Sequence, residues 1–170
     1  MPVLVELDSC YADLALWVPF WNRMVKALKF QGKVINEHGE IILVEILGPP
    51  NIDAWISCYK LFRTSSRMYR LIDEGKLDRY QTKIHTLARK NPHCWALIYQ
   101  ADVGARLEQA PKIKARLIKM HDKALKAGQE STFDPARPWN SVWGVLTDGI
   151  EGWWFKHVTE PAIYIYIYQY

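Results

Sequence analysis

Cysteine is scarce in this 170-residue chain: Cys10, Cys58 and Cys94 are an odd number at wide spacing, with no CxxC pair. That argues against a disulfide framework or a zinc module and for a reducing compartment. No apolar run approaches the ~20 residues a membrane span needs. The opening "MPVLVELDSCYADLALWVPFW" has no basic start and is interrupted by Glu6, Asp8 and Asp13, so it does not read as a signal peptide. The expectation is an intracellular protein, nuclear or cytoplasmic, with no membrane partner. Glycine and proline are too few for a disordered or fibrous chain, and no 20–50-residue repeat is visible.

The motifs of common chemistries are missing as well. There is no GxxxxGKS/T, no GxGxxG after a strand, no GxSxG and no HExxH. Histidines stand at 38, 85, 93, 121 and 157, none at a recognised ligand spacing from another His, Cys or carboxylate. His93 and Cys94 are adjacent, but neighbours on a helix point about 100° apart and rarely share a metal. Cys94 with His85 or His121 is formally a nucleophile and base, yet any chain with three Cys and five His permits such drawings. A structural cysteine is the simpler reading. No catalytic residue, metal or cofactor is assigned.

What is present is apolar bulk and an uneven charge. Apolar residues make up 49% of the chain, with eight Trp and nine Tyr, enough for one domain with a proper core. Net charge is +4, but Lys60 to Lys126 holds sixteen Lys/Arg against six Asp/Glu. A basic middle between acidic flanks suits nucleic acid or an acidic protein; equally, the flanks satisfy it internally.

Periodicity then places the elements. "DLALWVPFWNRMVKALKF" (13–30) reads as a helix. "KVINEHGEIILVEIL" reads as a β-hairpin at about 33–47, with Gly39 free to take positive φ in its turn. There Ile41, Leu43, Glu45 and Leu47 share one face of the second strand. "NIDAWISCYKLFRTSSRMYRLI" opens with Asn51 or Asp53 as a cap and is the strongest helix, with Trp55, Tyr59, Phe62, Ser66 and Tyr69 on one face. A second helix places Leu77, Tyr80, Ile84 and Leu87 inward until "NP" at 91–92. "HCWALIYQADVGARLEQA" reads as a buried helix, and Pro111 as the restart of another. The last of these aligns Ile113, Leu117, Met120 and Ala124, and Gly128 is its stop. After the "QESTFDPARP" loop, Trp139, Trp143, Leu146 and Ile150 again run at helical spacing from Pro138.

The expected fold is therefore mainly α, a helical bundle with one short N-terminal β-hairpin. Residues 1–126 form a helical domain carrying the hairpin. Residues 127–161 are a Trp-rich helical segment packing on it, and 162–170 a low-complexity tail. In that tail Ile163 to Tyr168 alternate strictly, which fits an exposed edge strand. The same residues are what an (AT)n repeat encodes in every frame, so translated microsatellite DNA is the other reading.

Three groups carry candidate roles. Asp102 and Arg106, at i and i+4 in an apolar helix, are expected to pair, because a carboxylate buried alone is costly. The many aromatics read as core, since Trp55, Tyr59, Phe62, Trp95 and Tyr99 lie on faces that have to be buried; base-stacking platforms are the rival reading. Two basic stripes lack the interspersed Glu of an ordinary solubilising face. One runs Lys60, Arg63, Arg67, Arg70; the other runs Lys112, Arg116, Lys119, Lys123, Lys126. Lys60, Arg63, Arg67 and Arg70 with Arg116, Lys119 and Lys123 are the candidate nucleic-acid-binding residues, each able to neutralise a phosphate.

The stretches "GPPNIDAWISCYKLF", "CWALIYQADVGARLE" and "STFDPARPWN" together resemble a helical segment found in large families of protist open reading frames, some linked with mobile elements. The resemblance covers about 40–145. Its motifs carry no established chemistry, so it transfers no catalytic residue and implies only an association with nucleic acid. It also leaves Met1 open to being an internal methionine. The expected function is a non-catalytic binding module with a basic helical surface. The alternative is a structural or oligomerising interaction domain, or a fragment of a longer element-encoded protein.

Overall fold

The computed structural model describes Leu14 and residues 28–156. The tail at 162–170 and most of the expected 13–30 helix lie outside the described residues. Among those described, the chain is mainly α with one two-stranded antiparallel hairpin at its N-terminal side. The elements are β1 (Lys29–Ile35), β2 (Ile41–Leu47), α1 (Ile52–Met68), α2 (Glu74–Lys90), α3 (Trp95–Gly104), a π-helical turn (Ala105–Gln109), α4 (Ala110–Lys126) and α5 (Pro138–Trp154).

The hairpin starts earlier than its alternation suggests. Lys29 and Phe30, expected to close a helix, instead begin β1, because Lys29 pairs with Leu47 and Phe30 with Ile46. Its loop is closed by Asn36, whose Oδ1 accepts from the backbone N–H groups of His38 and Glu40, while Gly39 takes φ 78°. One hairpin face packs toward α3 through Phe30, Val34 and Ile46. The opposite face leaves Ile41, Leu43 and Leu47 exposed at 67%, 66% and 58%.

α1 is capped by Asn51, whose side chain accepts from Ala54 N at 2.9 Å. It ends at Met68 rather than running on to Ile72, and Arg70 turns the chain with a positive φ of 52°. Pro111 does not begin a separate helix. Proline lacks an N–H and crowds the carbonyl four residues back; the wider π turn at 105–109 absorbs that conflict, so backbone of helical type continues from α3 into α4. α4 stops in a Schellman pattern, with Gln129 N donating to Ala124 O and Gly128 N to Leu125 O.

An aromatic layer forms the centre. Trp55 stacks on Tyr59 at 4.7 Å, Tyr59 on Tyr80 at 5.9 Å, and Trp143 closes the layer 5.1 Å from Tyr80 and 5.4 Å from Phe62. α1, α2 and α5 thus contribute to one core, joined by Leu77, Ile84, Leu146 and Ile150. Burying such side chains stabilises by about 1.5–3 kcal/mol each before entropy is counted. The aromatics are core here: Trp55, Tyr59, Phe62 and Trp143 are each at most 5% exposed, and Trp95 is half-buried.

Candidate binding face on helix α4

Asp102 and Arg106 pair as their spacing suggests, and the pair is fully interior. Arg106 is 1% exposed and Asp102 0%; the guanidinium donates from Nε to Oδ1 at 3.0 Å and from a terminal nitrogen to Oδ2 at 2.6 Å. Two aromatic donors complete the carboxylate: Trp55 Nε1 reaches Oδ2 at 3.0 Å and the Tyr80 hydroxyl reaches Oδ1 at 2.7 Å. Four donors on one buried carboxylate describe a closed structural node that ties α1 and α2 to α3. Burial, with Asp102 beside it, pushes the Tyr80 phenol well above its ordinary value, and burial does the same to Tyr59. Burial also raises the Cys58 thiol, which keeps it protonated and unreactive.

Cys94 and His93 line a cleft of about 520 Å³ beside β1, but among the described residues no carboxylate lines it. No group of three or more His, Cys, Asp and Glu side chains is placed to hold a metal among the described residues. No helix among them is long and apolar enough to cross a membrane.

The two basic stripes fare differently. On α1, Arg63 is only 28% exposed and forks between Glu74 at 2.8 Å and Asp78 at 2.9 Å of α2, while Arg67 shares Glu74 at 2.9 Å. Arg63, with Arg67 beside it, holds the Glu74 carboxyl below its usual range. Lys60 stays exposed on α1; Arg70 lies beyond its end, where its carbonyl accepts from Arg137 Nε. Elsewhere the acidic C-terminal flank meets the basic middle: Asp148 pairs with Arg79 and Glu151 with Lys83. Asp73 is held below the usual carboxylate range by Arg137, at 2.7 Å, and by Asn140. Arg63, Arg67, Arg79, Lys83 and Arg106 of the basic middle are thus met from within the fold.

The stripe on α4 is not. Lys112, Arg116, Lys119, Lys123 and Lys126 are all exposed, and none forms an ion pair among the described residues. At 100° per residue they fall within one arc, opposite the face that packs through Ala110, Ile113, Lys114, Leu117 and His121. Lys114, the remaining lysine of the helix, turns inward instead and lies 4.7 Å over the Trp139 ring. Asp122 is the one carboxylate in α4. Periodicity misplaces Met120, which is 60% exposed on the flank of the stripe rather than in the core. α1 packs on α2, α2 on α5 and α5 on α4. Arg116, Lys119 and Lys123 are therefore brought together on one helix, while Lys60, Arg63, Arg67 and Arg70 belong to another part of the molecule.

Comparison with protein-family models, with curated proteins and with solved structures finds no match to this chain.

Proposed function

We propose that this chain is a non-catalytic binding module that docks a linear polyanion on the outer face of α4. One observation carries the reading: five cations without ion-pair partners among the described residues share the arc of α4 that faces away from the core. Steps of three and four residues at 1.5 Å per residue set neighbouring charges about 4.5–6 Å apart along the axis. That spacing suits the closely set phosphates of a nucleic acid or the carboxylates of an acidic protein segment. Arg116, Lys119 and Lys123 are its centre, with Lys112 and Lys126 at the ends. The resemblance to protist mobile-element reading frames belongs to the same proposal, as does a nuclear or cytoplasmic setting.

The test is fluorescence anisotropy of the full chain with a labelled oligonucleotide and with labelled polyglutamate across a salt series. Retention at low salt that fades steeply with added salt, and is lost in Lys119→Glu with Lys123→Glu, is the expected result. No binding of either polyanion at ~50 mM salt would remove the proposal.

A further inference from the structure

The cationic stripe of α4 is bordered on one flank by a largely apolar cleft of about 360 Å³ between α4 and the segment leading into α5, with Lys114, His121 and the Asp122 carboxylate also in its lining. Ile118 and Leu125 of α4 form one wall, Phe133, Pro135 and Pro138 the other. Ile118 is 39% exposed and Leu125 59%, so this apolar surface is open to a partner. Each sits one residue before a cation of the stripe, Lys119 and Lys126, hence about 100° around the helix from it. An anion held by those lysines therefore brings its neighbouring groups to the mouth of the cleft, where the Asp122 carboxylate repels a further acid and leaves room for an uncharged side chain.

The chemistry of the walls separates the two kinds of polyanion. Unpaired bases bind by stacking on accessible aromatic faces. In the cleft the rings are Phe133, 9% exposed, and His121, which packs against Phe133 at a centroid distance of 5.5 Å. The rest of the apolar lining is aliphatic and proline. Tyr69 and Phe155 are the exposed large aromatics among the described residues, and neither lines this cleft. Such walls accept an aliphatic or phenyl side chain, not a stacked base.

We infer that α4 and this cleft form a docking site for an acidic amphipathic peptide segment of a partner protein, with its carboxylates on Lys119, Lys123 and Lys126 and a leucine or phenylalanine anchor between Leu125 and Pro135. The inference rests on the reading of α4 as a polyanion face and names which polyanion it takes. The mode is that of an apolar anchor in a groove, with flanking charge setting specificity and encounter rate.

Two synthetic peptides of equal negative charge test it on the full chain by anisotropy, one with leucine and phenylalanine between the acidic residues, the other with serine there. A single-stranded oligonucleotide is the third probe. Burial of one large apolar side chain predicts that the anchored peptide binds about tenfold tighter or more. Leu125→Ser together with Ile118→Ser, both solvent-exposed positions, is expected to close most of that gap. Equal affinity of the two peptides overturns the inference and leaves the polyanion face standing. So does an oligonucleotide that displaces the anchored peptide at equal concentration. Failure of all three probes to bind removes both proposals.

Discussion

Tyr80 and Asp102 meet at the centre of the fold, the phenol of α2 donating to Oδ1 of the α3 carboxylate across 2.7 Å. The contact explains why an acidic residue is stable in an otherwise apolar helix: with Trp55 and Arg106 it saturates the carboxylate. Removing Asp102 by Asp102→Ala takes away the group that faces a buried guanidinium. It is expected to cost about 3–5 kcal/mol, whereas Asp102→Leu with Arg106→Met recovers most of the loss. Urea unfolding followed by tryptophan fluorescence measures both. Near-equal stability of Asp102→Ala and the parent would mean that the node is not structural.

The aromatic layer makes a second expectation. Trp143→Ala, at a site with 0% exposure, should cost about 3–5 kcal/mol. Trp95→Ala should cost clearly less, since Trp95 is half-buried, although its Nε1 donates to Pro49 O at 2.8 Å. Chemical denaturation of the two variants side by side tests the ordering.

Charge reversal should separate the two stripes. Lys119→Glu with Lys123→Glu is expected to abolish polyanion binding while leaving the melting temperature nearly unchanged. Arg63→Glu with Arg67→Glu should do the opposite, because it sets like charges against Glu74 and Asp78. If the α4 stripe takes nucleic acid, the log–log salt slope should be roughly −0.7 to −0.9 per phosphate neutralised. Scanning calorimetry and a binding titration on each pair read the contrast; equal loss of binding in both would make the α1 stripe part of the site.

The pH profile should have two limbs. Tyr59 and Tyr80 hold their protons in the fold above the ordinary value of 10.0, so the unfolded chain releases protons first as pH rises. Stability is then fully present below about pH 10 and falls above it. Asp73 and Glu74 lie below their ordinary 3.8 and 4.5, which makes their contribution present above about pH 4.5 and lost as pH falls through the folded values. Both carboxylates are exposed, so the acid limb should be shallow and salt-sensitive. Arg63→Gln should flatten it, and thermal melts across pH would show this.

Gly32 sets the distance between hairpin and bundle. A Cβ there would lie 2.5 Å from the Ala96 Cβ and 2.7 Å from Ile46 Cδ1, so Gly32→Ala should push β1 off α3. Faster amide exchange across residues 29–47 with α2 and α5 still protected is the expected signature. Unchanged exchange in the hairpin would show that the contact can relax.

The helices and their inward faces were legible because periodicity is a local property of the chain. Trp55, Tyr59 and Phe62 share a face of α1, as Leu77, Tyr80 and Ile84 do on α2, and each of these sets is buried. Asn51, Gly128 and the Asp102–Arg106 pair were readable for the same reason, since a cap, a stop and an i,i+4 contact involve residues close in sequence. The start of β1 was not, because strand pairing is decided by what lies opposite: Lys29 and Phe30 extend to meet Leu47 and Ile46. Nor was the π turn, where the conflict at Pro111 is resolved inside a continuing helix. The sequence by itself determined a mainly helical chain, most of its core residues (Tyr69 and Met120, both exposed, are exceptions) and two rows of positive charge. Which row stays available was decided only by the tertiary structure. The packing of α1 against α2 sets Glu74 and Asp78 against Arg63, while the arc of α4 that carries Arg116, Lys119 and Lys123 points away from its packed face. Coulomb attraction acts over a few ångströms of space whatever the separation along the chain, so no stripe read from spacing alone reveals whether it is already neutralised.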